Sequence, residues 1–318
     1  MIFKNDNDYQ YLLSQWSNLE AGLGILLLRP TSAHEFPQRI PQYDRWLQAL
    51  LDKDTDVGLY LLFQLATNST VGYSASHALI CSALCHLIAK AIDLEPYERD
   101  RLVRAALTMN VAMTALQDQL AVQTEKLNRE QQAAVAAHPA QGRELLIQLG
   151  IQDQLWLDVV AGHHDKKIIE QPLDTLPAVQ RLVRILHLVD RYAAMISPRK
   201  SRNGRSSMDS ARQILQTEAV PDAEVGPALI RTVGLCPPGT YVRLDDNAIA
   251  VVVRRSPEVN QPFVAIVTTT REEPLPQPIL HRTVTGLPAI QAALPAGQVK
   301  LRLNHLHILH MGAQVRAG

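Results

Sequence analysis

His77, His138, the adjacent pair His163-His164 and Asp190 are the side chains of this 318-residue chain whose types and order could do chemistry. Imidazole nitrogens and a carboxylate suit borderline divalent cations such as zinc, iron or manganese. A cation held this way acidifies a bound water and polarises the oxygen of an electrophile, so the chemistry in view is metal-assisted hydrolysis. Taken singly, each histidine has a plainer reading as a packed or surface residue. It is the ordered set that argues for a site. Cys81 and Cys85 lie one helical turn apart beside His77 and could suggest a thiolate site, but buried apolar packing is the favoured reading, since a free cysteine behaves as a small hydrophobe. His305, His307 and His310 are read as part of a solvated terminal segment rather than as ligands. The chain has no nucleophile elbow, no phosphate-cradling glycine loop and no zinc-type cysteine pairs.

The elements that must position these residues are helical. Leu12, Leu13, Trp16 and Leu19 recur at three- and four-residue steps, as do Trp46, Leu47, Leu50 and Leu51. Pro30, Pro37 and Pro41 punctuate the gap between them. This front segment carries no concentration of site-like residues, and packing or partner contact is its expected role. Further along, Ser76 is expected to cap a helix that carries His77, Cys81, Leu84 and Ile88 on one face and ends near Asp93. Glu98 to Leu116 reads as one strong helix, with Leu102, Ala105, Ala106 and Met109 facing inward. Thr124 to Ala137 delivers His138-Pro139, and Leu145–Leu149 and Leu155–Val160 lead to His163-His164. Val179 to Ile196 is amphipathic and holds Asp190.

The pattern changes at Gly234. Pro237-Pro238-Gly239 signals a turn, and the β-branched runs Thr240–Leu244 and Ile249–Val253 flank Asp246-Asn247, which predicts a β-hairpin. Phe263–Val267 is a candidate third strand, and the proline-rich tail after Pro274 gives no clear pattern. Three parts are therefore expected: a helical region over 1–70, a helical bundle over 71–233, and a small β module with tail over 234–318. The fold class is mainly α.

Composition narrows the function. An apolar fraction of 47% supports real cores. Thirty-one basic and 31 acidic side chains cancel, so no global field favours a nucleic-acid polymer or an anionic membrane. Three cysteines, Cys81, Cys85 and Cys236, point to a reducing compartment. The polar start MIFKNDNDYQ does not read as a signal peptide, and the apolar stretch Leu23–Leu28 is far short of the roughly 20 residues of a membrane span. A soluble, cytoplasmic protein is expected.

The ordered motifs resemble the HD-GYP family of cyclic di-GMP phosphodiesterases over residues 71–255. Residues 104–113 (RAALTMNVAM) resemble the family's helix bearing a His-Asp pair and a following Lys, and Met109, Asn110 and Met113 occupy those three places. His138-Pro139 with Gly142, His163-His164, Ile185–Met195 around Asp190, and the run 233–244 (VGLCPPGTYVRL) match the family pattern. The resemblance implies an HD-type helical bundle with metal ligands His77, His138, His163, His164 and Asp190. It also implies a loss. Neither a thioether nor a neutral amide replaces a carboxylate that bridges two cations. The family's Gly-Tyr-Pro loop is replaced by His163-His-Asp-Lys-Lys-Ile-Ile169, and Tyr73 stands where metal-rich members have a Glu.

Basic residues follow the Asp190 stretch at Arg199, Lys200, Arg202 and Arg205. In the family such residues contact the dinucleotide phosphates, which implies Arg199 and Arg202 as substrate-binding groups; guanidinium suits phosphate geometry. A solvated loop broken by Pro198, Asn203 and Gly204 is the plainer alternative. The expected protein is a degenerate HD-GYP member with no confident catalytic residue and at most one divalent ion (iron, manganese or zinc) on His138, His163 and His164. It is expected to act as a non-hydrolytic regulatory or binding protein. Cyclic di-GMP and signalling proteins such as GGDEF-domain proteins are the implied partners, and a homodimer stays open. Two rival readings are a residual phosphodiesterase and a scaffold that binds no nucleotide.

Overall fold

The computed structural model describes residues 6–68, 71–165, 171–197, 200, 204–217, 224–258, 261–284 and 288–315. The chain is mainly helical, with an antiparallel sheet towards its C-terminus, in agreement with the fold class read from the sequence. Three helices come first: α1 (Asp6–Leu28), α2 (Phe36–Lys53) and α3 (Thr55–Asn68). Leu12, Trp16, Leu19, Leu47, Leu50 and Leu51 are buried, so the repeats read from the sequence mark the inward faces.

At the centre runs α4 (Tyr73–Ala91), buried from Ser74 to His86 without interruption. Its serines, alanines and cysteines are small, which lets α1, α3, α5, α9 and α11 pack against it from all sides. By length and composition α4 could cross a membrane, but its side chains lie inside the protein. Ser76 is not its cap: the Ser76 hydroxyl donates back to the Gly72 and Tyr73 carbonyls inside the first turn. The Asp118 carboxylate accepts from the Ser74 backbone N–H at 2.7 Å and from its hydroxyl at 3.0 Å. That partner lies 44 residues away, beyond the reach of a local capping rule.

The single helix expected over Glu98–Leu116 is split. α5 (Pro96–Thr108) ends before Met109, one turn of 3-10 helix covers Val111–Met113, and α6 (Thr114–Val122) follows. Thr108 bonds back to the Arg104 carbonyl and Asn110 follows at once. Both residue types compete with helical backbone bonding, and together they account for the break. Next come α7 (Arg129–Gln148), started by an Asn128/Gln131 capping box, and α8 (Gln154–Gly162), started by the Asp153 side chain. α9 (Ala178–Ile196), α10 (Ser207–Thr217) and α11 (Val225–Val233) complete the helical part.

Strands β1 (Tyr241–Leu244), β2 (Ile249–Arg254) and β3 (Phe263–Thr268) are those predicted. The proline-rich tail is more ordered than its composition suggested. It adds β4 (Pro274–Arg282), β5 (Ile290–Leu294) and α12 (His305–Gln314), in a sheet of order β4-β3-β2-β1-β5. Prolines at 274, 276 and 278 argue against a strand, yet β4 is an edge strand, where missing N–H groups are tolerated. The histidines of α12 are not all solvated. His305 Nδ1 meets the Tyr60 hydroxyl at 2.8 Å and His310 packs on the Tyr9 ring, while His307 is exposed.

The sheet is seated on the front helices. Gly239 holds φ at +90°, and a Cβ there would come within 2.6 Å of the Tyr60 carbonyl oxygen, so only glycine lets this turn approach α3. Beside it, Arg254 reaches Asp54 at 2.8 Å, Asp56 at 3.2 Å and the Gly312 carbonyl at 2.7 Å. Arg255 donates to Asp56 at 2.5 Å and to the Thr232 carbonyl.

Candidate functional site

His138 sits in mid-α7, immediately before a proline. Pro139 has no N–H, so the carbonyl four residues back, that of Val135, loses its helical partner. His138 Nδ1 takes that carbonyl at 2.6 Å. His163 follows the end of α8, where the last carbonyls have no helical partner, and its Nδ1 binds the Val160 carbonyl at 2.6 Å. A carbonyl only accepts, so both Nδ1 atoms carry the proton.

The two Nε2 atoms then face each other at 3.1 Å. Both rings are buried, and burial lowers the pKa of each, that of His163 to about 3. Two neutral rings with protonated Nδ1 present two lone pairs, which cannot hydrogen-bond to each other. Two nitrogens about 2.1 Å from one metal ion would lie about 3.0–3.4 Å apart. The pair therefore fits a cation. His164, at the exposed rim, brings its ring within 4.3 Å of His163 and 5.1 Å of His138, and one ligand atom of each lies within 4.8 Å of the others.

Beside this trio, α4 and α9 present a second group. His77 Nε2 lies 2.8 Å from Asp190 Oδ1 and 3.6 Å from Cys81 Sγ. Burial, the largest single influence, would raise the Asp190 carboxyl, but the hydrogen bond from His77 together with the charge interactions of His77, His163 and His164 outweighs it and holds that carboxyl well below the usual carboxylate range. The Cys81 thiol is pushed well up by burial and then by Asp190. Tyr73 stacks on the His77 ring at 5.5 Å.

The structure thus brings His77, His138, His163, His164 and Asp190 into two adjoining groups, as their order in the chain suggested. Met109 is buried and Asn110 partly so, at the break after α5, packed against α7. Gly142 of α7 faces this break: a Cβ there would lie 3.6 Å from the Met109 carbonyl oxygen, an ordinary van der Waals contact. Met113 is half-buried at the end of the 3-10 turn. Arg199 and Arg202, and residues 166–169 of the replaced loop, lie outside the described residues. The loop's flanks are placed: the Lys200 N–H bonds the Ala121 carbonyl and the Arg205 N–H bonds that of Met195.

Sequence reasoning set one residue here aside as packing, Cys81, and passed over another, His187. Cys81 joins the ligand atoms of His77 and Asp190 within 4.8 Å. His187 binds the His163 carbonyl through Nδ1 at 2.9 Å and so holds the backbone between the paired histidines. Each lies one helical turn from a noted residue, Cys81 from His77 and His187 from Asp190, and that spacing was the available signal.

No protein-family model matches the chain. Over 216 residues it is 25% identical to a cyclic di-GMP phosphodiesterase of Pseudomonas aeruginosa, which covers 65% of this chain and 51% of that protein. The chain thus spans about half the length of the curated relative it matches. At this identity the similarity supports an HD-GYP-like family at most.

Proposed function

We propose that the chain is a degenerate HD-GYP protein that binds cyclic di-GMP without hydrolysing it and acts as a regulatory component of that signalling system. The observation that carries this reading is the Met109-Asn110 pair at the α5 break, packed against the helix of His138. A two-metal hydrolase needs an anionic bridge there, and a neutral amide gives no charge to offset two adjacent cations. Among the described residues Asp190 is the one carboxylate grouped with the buried histidines, so one divalent ion at a time is what these charges allow. The trio of His138, His163 and His164 would hold an ion such as manganese or iron, which would supply a positive charge for a phosphodiester oxygen. His187 would keep the paired histidines in place.

On this reading Arg199 and Arg202 contact the phosphates, because charge-assisted hydrogen bonds do not need the lost metal. Each such contact contributes roughly 1.5–3 kcal/mol. The test is calorimetric titration of cyclic di-GMP together with a turnover assay in added manganese or iron. Binding should be measurable, hydrolysis should stay at background, and Arg199→Ala/Arg202→Ala should weaken binding at least about tenfold, since 1.4 kcal/mol is one decade.

A second reading, a working phosphodiesterase, is favoured by the similarity to the Pseudomonas enzyme. Turnover that vanishes in a His163→Ala variant would establish it in place of the first. Absence of both binding and turnover would leave an interaction scaffold.

A further inference from the structure

We propose that Cys81 is a metal ligand. With His77 and Asp190 it forms a buried nitrogen–sulfur–oxygen site that selects a thiophilic dication, zinc above all, in preference to the neighbouring histidine trio.

Three independent features converge on it. The first is geometry. A tetrahedral zinc ion with Zn–S about 2.3 Å and Zn–N about 2.1 Å holds the sulfur and nitrogen about 3.6 Å apart. Cys81 Sγ and His77 Nε2 are 3.6 Å apart on successive turns of one rigid helix. The Asp190 oxygen, 2.8 Å from the same nitrogen, needs to retreat by roughly 0.6 Å to complete the bite.

The second is charge. A thiolate and a carboxylate together neutralise a dication in the interior, whereas three neutral imidazoles leave its full charge uncompensated there. The third is softness. Thiolate ligands favour zinc over manganese or magnesium, so a zinc ion offered both groups is taken by this one.

The protons balance. The ion displaces the Cys81 thiol proton to solvent, and the His77 proton moves from Nε2 to Nδ1 as Nε2 turns to the metal. One proton leaves per ion bound. The fourth coordination position is left to a solvent oxygen. The loss of the His-Asp pair at 109 and 110 thus leaves a site of different chemistry rather than an empty one.

The inference shares with the proposed function only its limit of one ion at a time; it does not depend on nucleotide binding. The test uses the full chain, stripped of metal with a chelator and titrated with cobalt(II) as a spectroscopic stand-in for zinc. One equivalent should raise a near-ultraviolet thiolate-to-cobalt charge-transfer band together with tetrahedral visible bands, and added zinc should bleach both. Cys81→Ser, checked for wild-type circular dichroism and backed by Cys81→Ala, should abolish the charge-transfer band. Cys85→Ser and His163→Ala should keep it. Bound cobalt with no charge-transfer band, a band that survives both Cys81 variants, or no cobalt uptake by the folded protein would each overturn the proposal. A failed nucleotide titration leaves the cobalt spectrum unaffected, so the two readings fall separately.

Discussion

Two buried polar clusters differ in how completely they are satisfied. In the clasp beneath the sheet, Arg254 and Arg255 meet the carboxylates of Asp54 and Asp56 and the carbonyls of Gly312 and Thr232. Asp54 also caps α3 through the N–H groups of Asp56 and Val57. The charges are paired and the remaining lone pairs are used. In the histidine cluster the backbone carbonyls fix both Nδ1 atoms, and the consequence is two Nε2 lone pairs turned on each other. A closed network holds parts of a fold together, while the facing Nε2 lone pairs are a polar contact that the two rings cannot satisfy between themselves. The difference marks where this molecule spends its polar groups on architecture and where on chemistry.

The largest stability effect that would break this comparison lies in the clasp. Truncating Arg254 removes the arginine paired with the buried Asp54 and leaves Asp56 only Arg255, and losing one partner of a buried pair costs about 3–5 kcal/mol. Arg254→Ala should lower the free energy of denaturant unfolding by that amount; a loss under 1 kcal/mol would show the clasp to be ornamental.

Acid should act next, through buried histidines. Burial, then His164, lowers the pKa of His163 to about 3; burial, then Lys90 and Arg99, lowers that of His86 to about 4. The unfolded chain takes up a proton on each near pH 6.5, which the folded protein declines until far lower pH, so stability is lost as pH falls through that window. Between pH 6.5 and 5 each group removes about 2 kcal/mol from the metal-free protein. Unfolding measured across this range should show the decline, and a flat profile would mean the rings titrate normally.

The smallest effect is the sharpest comparison. Replacing His163 by Gln gives up the bond to the Val160 carbonyl but relieves the facing lone pairs with an amide donor. The metal-free protein should change by less than about 1 kcal/mol, since a net hydrogen bond contributes on the order of 1 kcal/mol. A loss above 2 kcal/mol in the same denaturant assay would show that the imidazoles are already satisfied.

Much of the helical architecture was legible because periodicity is local. The buried faces of α1, α2 and α9 follow from three- and four-residue spacing, whereas α4, expected to bury one face, is buried on every side; the β1–β2 hairpin follows from Asp246-Asn247, where Asn247 takes φ of +73°. The order of His77, His138, His163, His164 and Asp190 was legible too, but only as an order. The break at Met109-Asn110 was missed because apolar spacing continues through it while Thr108 and Asn110 compete for the backbone. β4 was missed because its prolines argue against a strand unless the strand is known to be an edge.

By itself, then, the sequence determined which residue types the bundle carries and in what succession, including the neutral pair at 109 and 110. Tertiary structure alone decided what those residues face. Pro139 frees a carbonyl as a matter of sequence, but whether the histidine beside it then points its lone pair at water or at His163 depends on how α7 meets α8. Cys81 reads as a small hydrophobe until α9 brings Asp190 to the His77 beside it. Local rules act over one or two helical turns, while ligand geometry is set by contacts between segments more than 100 residues apart, such as His77 and Asp190.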